Sequence, residues 1–135
     1  MPEVEVSFVE LFNDVLRELG RRQPRTPGRA LEMWSDFVED CEEGYSATLF
    51  EYWDDLSVRR FLQAVVASPG IGDMPDAAWF LDEVAGLDLR LKSVLEGGFE
   101  MHGGWGWWER RIPRFAGEEM ARDVREQFGF EMEVV

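Results

Sequence analysis

The sequence predicts a mainly α-helical fold: a compact single domain over residues 1–135, built from six or seven short helices with a small two-stranded ribbon from the termini. Three observations predict it. Apolar side chains recur every three to four residues through most of the chain, as one buried helical face requires. These runs open on Ser, Thr or Asp and close on Gly, the residues that satisfy or turn away from a helix's unpaired end groups. Strict alternation, the mark of a strand, is confined to residues 3–6 and 130–135.

Ser7 is placed to cap the first helix, with Glu10 as its capping-box partner. Phe8, Leu11, Phe12, Val15, Leu16 and Leu19 form the apolar face up to Gly20. A basic loop follows at 21–28, where Thr26 and Pro27 suit the N-cap and first position of a second helix. That helix runs to Glu43, with Leu31, Trp34, Phe37, Val38 and Cys41 inward and Gly44 as its stop. Ser46 opens a short helix through Trp53, and Ser57 caps another that buries Val58, Phe61, Leu62, Val65 and Val66. After a Pro/Gly loop at 68–75, residues 76–85 read as helix. Asp88 is placed to cap a separate helix, with Leu91, Val94 and Leu95 inward, until Gly97 and Gly98 break it. Residues 97–108 show no period. Pro113 precedes a last helix, residues 115–128, closed by Gly129 and supported by the i,i+4 pairs Glu118/Arg122 and Arg122/Glu126. The alternating tail is placed to pair with residues 3–6.

Composition narrows the partners. With 45% hydrophobic residues, 10 Phe and 6 Trp, the chain can offset the entropy of ordering itself despite its net charge of -14. That charge repels phosphate backbones and anionic headgroups, so no direct nucleic-acid binding and no membrane association are expected, and basic proteins are the favoured company. The single cysteine, Cys41, excludes an intrachain disulfide and fits a reducing, cytoplasmic setting. Thirteen arginines against one lysine, with two Ile and one Asn, are the usage expected of a GC-rich bacterial genome.

The acidic charge is concentrated. Between residues 30 and 58 there are nine acids and no Lys or Arg: Glu32, Asp36, Glu39, Asp40, Glu42, Glu43, Glu51, Asp54 and Asp55. A charge run is usually a solvated face. Here, however, Glu32/Asp36, Asp36/Asp40 and Glu39/Glu43 stand in repelling i,i+4 positions, and Glu42 and Glu43 oppose the helix dipole. A helix selected only for stability would include Lys or Arg. No calcium-loop pattern and no Glu-x-x-His pair accompanies these acids, so no metal is expected.

A second region is rich in Gly and Trp: residues 97–108, followed by Arg110, Arg111 and Arg114. It contains neither phosphate-binding glycine motif, and no cofactor is expected. Its tryptophans are read first as closing the core between helices, with the glycines permitting tight turns, and second as a ligand platform. The arginines are expected to dock against the acids at 39–55. His102, the only histidine, lacks an identifiable nucleophile or orienting partner. Cys41, on an apolar helix face, reads as core.

The function expected from these features is a non-catalytic, acidic protein-interaction module. Asp36, Glu39, Asp40, Glu43, Tyr52, Trp53, Asp54 and Asp55 would meet a basic partner, in the manner of an immunity or antitoxin-like neutraliser; that likeness is one of composition alone. The alternatives are a small-ligand-binding protein or enzyme using His102, Trp105, Trp107, Trp108, Arg110 and Arg111, and a structural subunit whose acidity serves solubility.

Overall fold

The computed structural model describes residues 7–19, 24–101 and 106–135. Helix α1, Phe8–Leu19, begins as its sequence requires: Ser7 Oγ accepts the Glu10 amide at 3.2 Å. A distant side chain helps, because Asp76 Oδ2 accepts the Phe8 amide at 3.0 Å. Helix α2, Pro27–Glu43, carries its expected cap, with Thr26 Oγ1 accepting from the Arg29 amide, and ends at Gly44. Gly44 has φ 112°, and a Cβ there would strike the Val135 side chain, so both the turn and the close approach require glycine.

Helix α3, Leu49–Asp55, is capped by Thr48 rather than Ser46, and Asp123 Oδ2 accepts the Leu49 amide at 3.1 Å. Helix α4 is Ser57–Val66, in which Ser57 is the first helical residue and makes no cap bond. Two short 3₁₀ turns, Ile71–Asp73 and Pro75–Ala77, lead into helix α5, Ala78–Lys92. This one continuous helix replaces the two expected on either side of residue 86. Asp88 is therefore no cap but a buried residue in mid-helix.

The unperiodic segment folds back on itself. Glu96 N–H donates to Ile112 O at 2.8 Å, Met101 N–H to Arg110 O at 2.6 Å, and Arg114 N–H to Val94 O at 2.8 Å. A single helical turn, α6, Trp107–Arg110, lies inside this antiparallel clasp. Residues 115–116, expected to begin the last helix, instead form strand β1, Phe115–Ala116, and helix α7 is Glu118–Phe128. The tail forms strand β2, Glu133–Val134, which pairs in parallel with β1. The ribbon is thus present, with β1 as the tail's partner; residues 3–6, the partner expected, lie outside the described residues. Tyr45 bridges the other side of Ala116.

Buried apolar side chains form one cluster. Phe12 packs edge-on to Phe61 and Phe80, while Trp34 stacks on Phe37 at 5.2 Å and 16°. Helix α2 is the centre of this arrangement, packing most extensively on α5 and also on α4 and β1. Its inward residues Leu31, Trp34, Phe37, Val38 and Cys41 are all buried, as the helical projection requires.

Inside the cluster lies one ionic node. Arg59 (4% exposed) grips Asp88 (9% exposed) with two hydrogen bonds, Nε to Oδ1 at 2.9 Å and Nη2 to Oδ2 at 2.8 Å. Trp34 Nε1–H also donates to Asp88 Oδ1, and Gln63 accepts from Arg59 Nη1. The guanidinium lies 4.5 Å from the ring centre of Trp108. All three guanidinium nitrogens and both carboxylate oxygens of the pair carry a hydrogen bond, the condition under which buried charge is tolerated.

Candidate functional site

Among the described residues, the acids of α2 and α3 meet across a groove of about 590 Å³. Asp36 and Asp40 line it from α2, Asp54 and Asp55 from α3. Met33, Phe37 and Val58 supply its apolar lining, and Ser57 stands at the start of α4. The helical turn explains the pairing: Asp36 and Asp40 are four residues apart and share one face of α2. The loop between Gly44 and Thr48 then returns the chain so that α3 presents its own two aspartates to that face.

Among the described residues, none of the four aspartates makes an ion pair with Arg or Lys. Asp55 Oδ2 accepts from the Tyr45 hydroxyl at 2.6 Å. Burial raises the pKa of the Asp40 carboxyl, and the charges of Asp55 and Glu43 raise it further, against a lowering hydrogen bond with Ser46. Burial first, and then the charges of Asp40 and Asp55, push the Tyr45 hydroxyl and the Cys41 thiol well above their ordinary values. Among the described residues no three carboxylate, thiol or imidazole groups are placed to hold a metal ion. The aspartates rim a groove and do not converge on a point.

The other expected contact residues are distributed differently. Glu39 and Glu43 are exposed on α2 outside the groove lining. Glu42 is engaged by Arg90, whose Nη2 donates to Oε1 at 2.6 Å and lowers its pKa. Tyr52 is a core residue, fully buried, its hydroxyl donating to Arg111 O at 2.9 Å, so it is no surface anchor. Trp53 is exposed at 36% and belongs to a row of aromatic rings that sequence reasoning missed. Phe50 lies 5.8 Å from Trp53, Trp53 is 6.4 Å from Phe128, Phe128 is 5.4 Å from Phe99, and Phe99 is 4.9 Å from Phe130. The sequence signal for this row is that Phe50 and Trp53, three apart, share one flank of α3 beside the buried Leu49, Tyr52 and Leu56.

The second expected site divides in two. Trp108 is turned into the core beneath Arg59, and a Cβ at Gly106 would collide with its ring. This is the core-closing role expected for the Trp run. Trp107, Arg110 and Arg111 line a smaller cleft of about 360 Å³ with Lys92, whose ammonium lies 4.5 Å from the Trp107 ring centre. His102 and Trp105 lie outside the described residues. The arginines do not reach the acids at 39–55. Arg111 donates to the carbonyls of Glu96 and Gly97, Arg114 donates to that of Ser93, and Arg110 and Arg111 approach Glu100 at 3.8 and 3.9 Å. Their backbone acceptors lie on the outgoing segment of the clasp, at residues 93, 96 and 97, across from the segment that carries the arginines.

Among the described residues no helix is long and apolar enough to cross a membrane. No family model matches the chain, and no curated protein or solved structure matches it.

Proposed function

We propose that this chain is a non-catalytic binding module for a basic protein, and that the groove between α2 and α3 is its docking site. The observation that carries the reading is four aspartates from two helices around one cavity, without a basic residue paired to any of them among the described residues. Holding like charges together costs stability, and a cationic partner inserted between them recovers it. The concrete form is a neutraliser of a basic enzyme or toxin, where electrostatic steering makes capture fast. The buried, protonated state of Cys41 supports a non-catalytic reading, since a thiol nucleophile needs the opposite surroundings.

The test is kinetic. An oligolysine peptide should associate with the protein at a rate that falls steeply with ionic strength. The variant Asp36→Asn/Asp40→Asn/Asp54→Asn keeps the Tyr45–Asp55 hydrogen bond and should lose most of both the rate and its salt dependence. Equal association rates for the two proteins at low salt would remove the groove from consideration.

A second reading has one observation in its favour: Lys92, Arg110 and Arg111 share a cleft with the Trp107 ring, an arrangement able to hold an anionic aromatic ligand. Most of those cations are already committed to carbonyls, to Glu100 or to the ring itself, which places this reading behind the first.

A further inference from the structure

Helix α3 carries two chemistries on one exposed arc. At about 100° per residue, Leu49, Tyr52 and Leu56 point inward, and the outward residues run around the helix in the order Trp53, Phe50, Asp54, Glu51, Asp55. The first two belong to the row of aromatic rings, and the last faces the acidic groove. The groove and the row are therefore neighbouring parts of one surface, joined along α3.

The row places apolar rings at the surface. Phe50 is 61% exposed and Phe128 41%, and the rings touch one another in a chain from α3 across the end of α7 to residues 99 and 130. Phe50, Trp53 and Phe128 are the exposed rings of the row, while Phe99 and Phe130 are half-buried against the core behind them; exposed aromatic side chains in contact with one another mark contact sites, where they act as anchors. Its borders say what kind of contact. Glu51, Asp54 and Glu131 each directly follow a ring of the row in sequence and are exposed, while Glu100, which follows Phe99, is already approached by Arg110 and Arg111. A second copy of the chain would bring these acids against their own like, in a protein of net charge -14. An anionic membrane is disfavoured for the same reason. The surface asks for apolar side chains flanked by cations. Its rings stand 4.9–6.4 Å apart, close to the ~5.4 Å rise of one α-helical turn, so a helix laid along the row can offer one apolar residue per ring.

We infer that the occupant is a basic amphipathic α-helix of a partner protein, its apolar stripe on the Phe50–Trp53–Phe128–Phe99 row and its Lys or Arg side chains reaching the Asp36/Asp40/Asp54/Asp55 groove. This rests on the groove reading above and adds to it the partner's conformation and its apolar half. Binding of this kind places i, i+4, i+7 anchors in an aromatic trough and sets orientation by charge.

The probes are two synthetic peptides of equal length and equal charge, one an amphipathic Leu/Lys helix and the other a Lys/Gly/Ser chain without an apolar face. Affinity is read by titration calorimetry at physiological salt. The wild-type protein should bind the amphipathic peptide at least tenfold more tightly than the other. The variant Phe50→Ser/Phe128→Ser alters only exposed side chains and should abolish that advantage while leaving the second peptide's affinity unchanged. The Asp→Asn triple variant should weaken both peptides. A central proline in the amphipathic peptide should cost it the tenfold advantage, and retention of that advantage would overturn the helical conformation. Loss of both affinities in the Asp variant with no effect of the Phe variant would overturn the aromatic half and leave the groove standing. An effect of the Phe variant with none from the Asp variant would overturn the groove, and the joint surface with it.

Discussion

Arg59 and Asp88 are the two buried charged side chains of the described structure, and they set the first single-residue prediction. Replacing Asp88 by Ala leaves a guanidinium without its counter-charge beneath Trp108, so Asp88→Ala should cost about 3–5 kcal/mol in urea unfolding. The double variant Arg59→Met/Asp88→Leu should recover most of that loss, because removing both charges removes the desolvation as well. Phe37 stacks on Trp34 and meets Tyr45 and Tyr52. Phe37→Ala should therefore cost about 3–5 kcal/mol, measured the same way. Cys41 is fully buried and its thiol is held protonated, so a thiol-specific reagent should react with it only at the rate of unfolding, and addition of urea should release the reaction.

At the scale of elements, the cap assignments separate cleanly. Thr26→Ala and Thr48→Ala each remove a side-chain acceptor from a helix N-terminus and should cost about 1 kcal/mol. Ser57→Ala should be nearly neutral, since Ser57 makes no cap bond. Thermal melts of the three variants decide this. The contrast also marks what local sequence can and cannot reveal. Helices α1 and α2 were legible to within a residue or two because a cap, a regular apolar stripe and a glycine stop agree in each. The sequence pattern divides helix α5 in two because its stripe is weak: Leu89 is 68% exposed, and the inward position beside it is an aspartate. Aspartate in a helix reads as a cap unless a buried arginine answers it, and that arginine lies 29 residues away. The aspartates of the groove were visible as a charge run, but their meeting depends on how the loop at 44–48 turns. The aromatic row was hidden because Phe99, Phe128 and Phe130 come together only once the clasp, the end of α7 and the tail are packed.

For the whole molecule, acid titration should separate two opposing carboxyls. Asp40 binds its proton more tightly when folded than when unfolded, so its charge subtracts stability above its raised pKa, and acidification through that value restores it. Glu42 behaves oppositely. Arg90 holds its pKa below the ordinary value, so its contribution persists at neutral pH and is lost only as pH falls through the depressed one. In a stability–pH series, Asp40→Asn should remove a gain in stability on acidification at the upper end, and Arg90→Ala should remove part of the loss at the lower end. Oligolysine binding should weaken across the upper part, as Asp40 takes up its proton and the groove loses a charge. The buried Arg59–Asp88 pair has a consequence of another kind, for misassembly. If α5 slid one turn along its neighbours, the residue facing Arg59 would become Val84 or Lys92; a three-residue slip would present Ala85 or Leu91. Each of these strands a cation in a dry interior at a cost of several kcal/mol, and Lys92 adds repulsion. A leucine in place of Asp88 would forgive every such error. The aspartate makes the correct alignment of a weakly patterned helix the one in which the arginine is answered, so the pair works as a proofreading key for a segment whose apolar stripe is too faint to align itself.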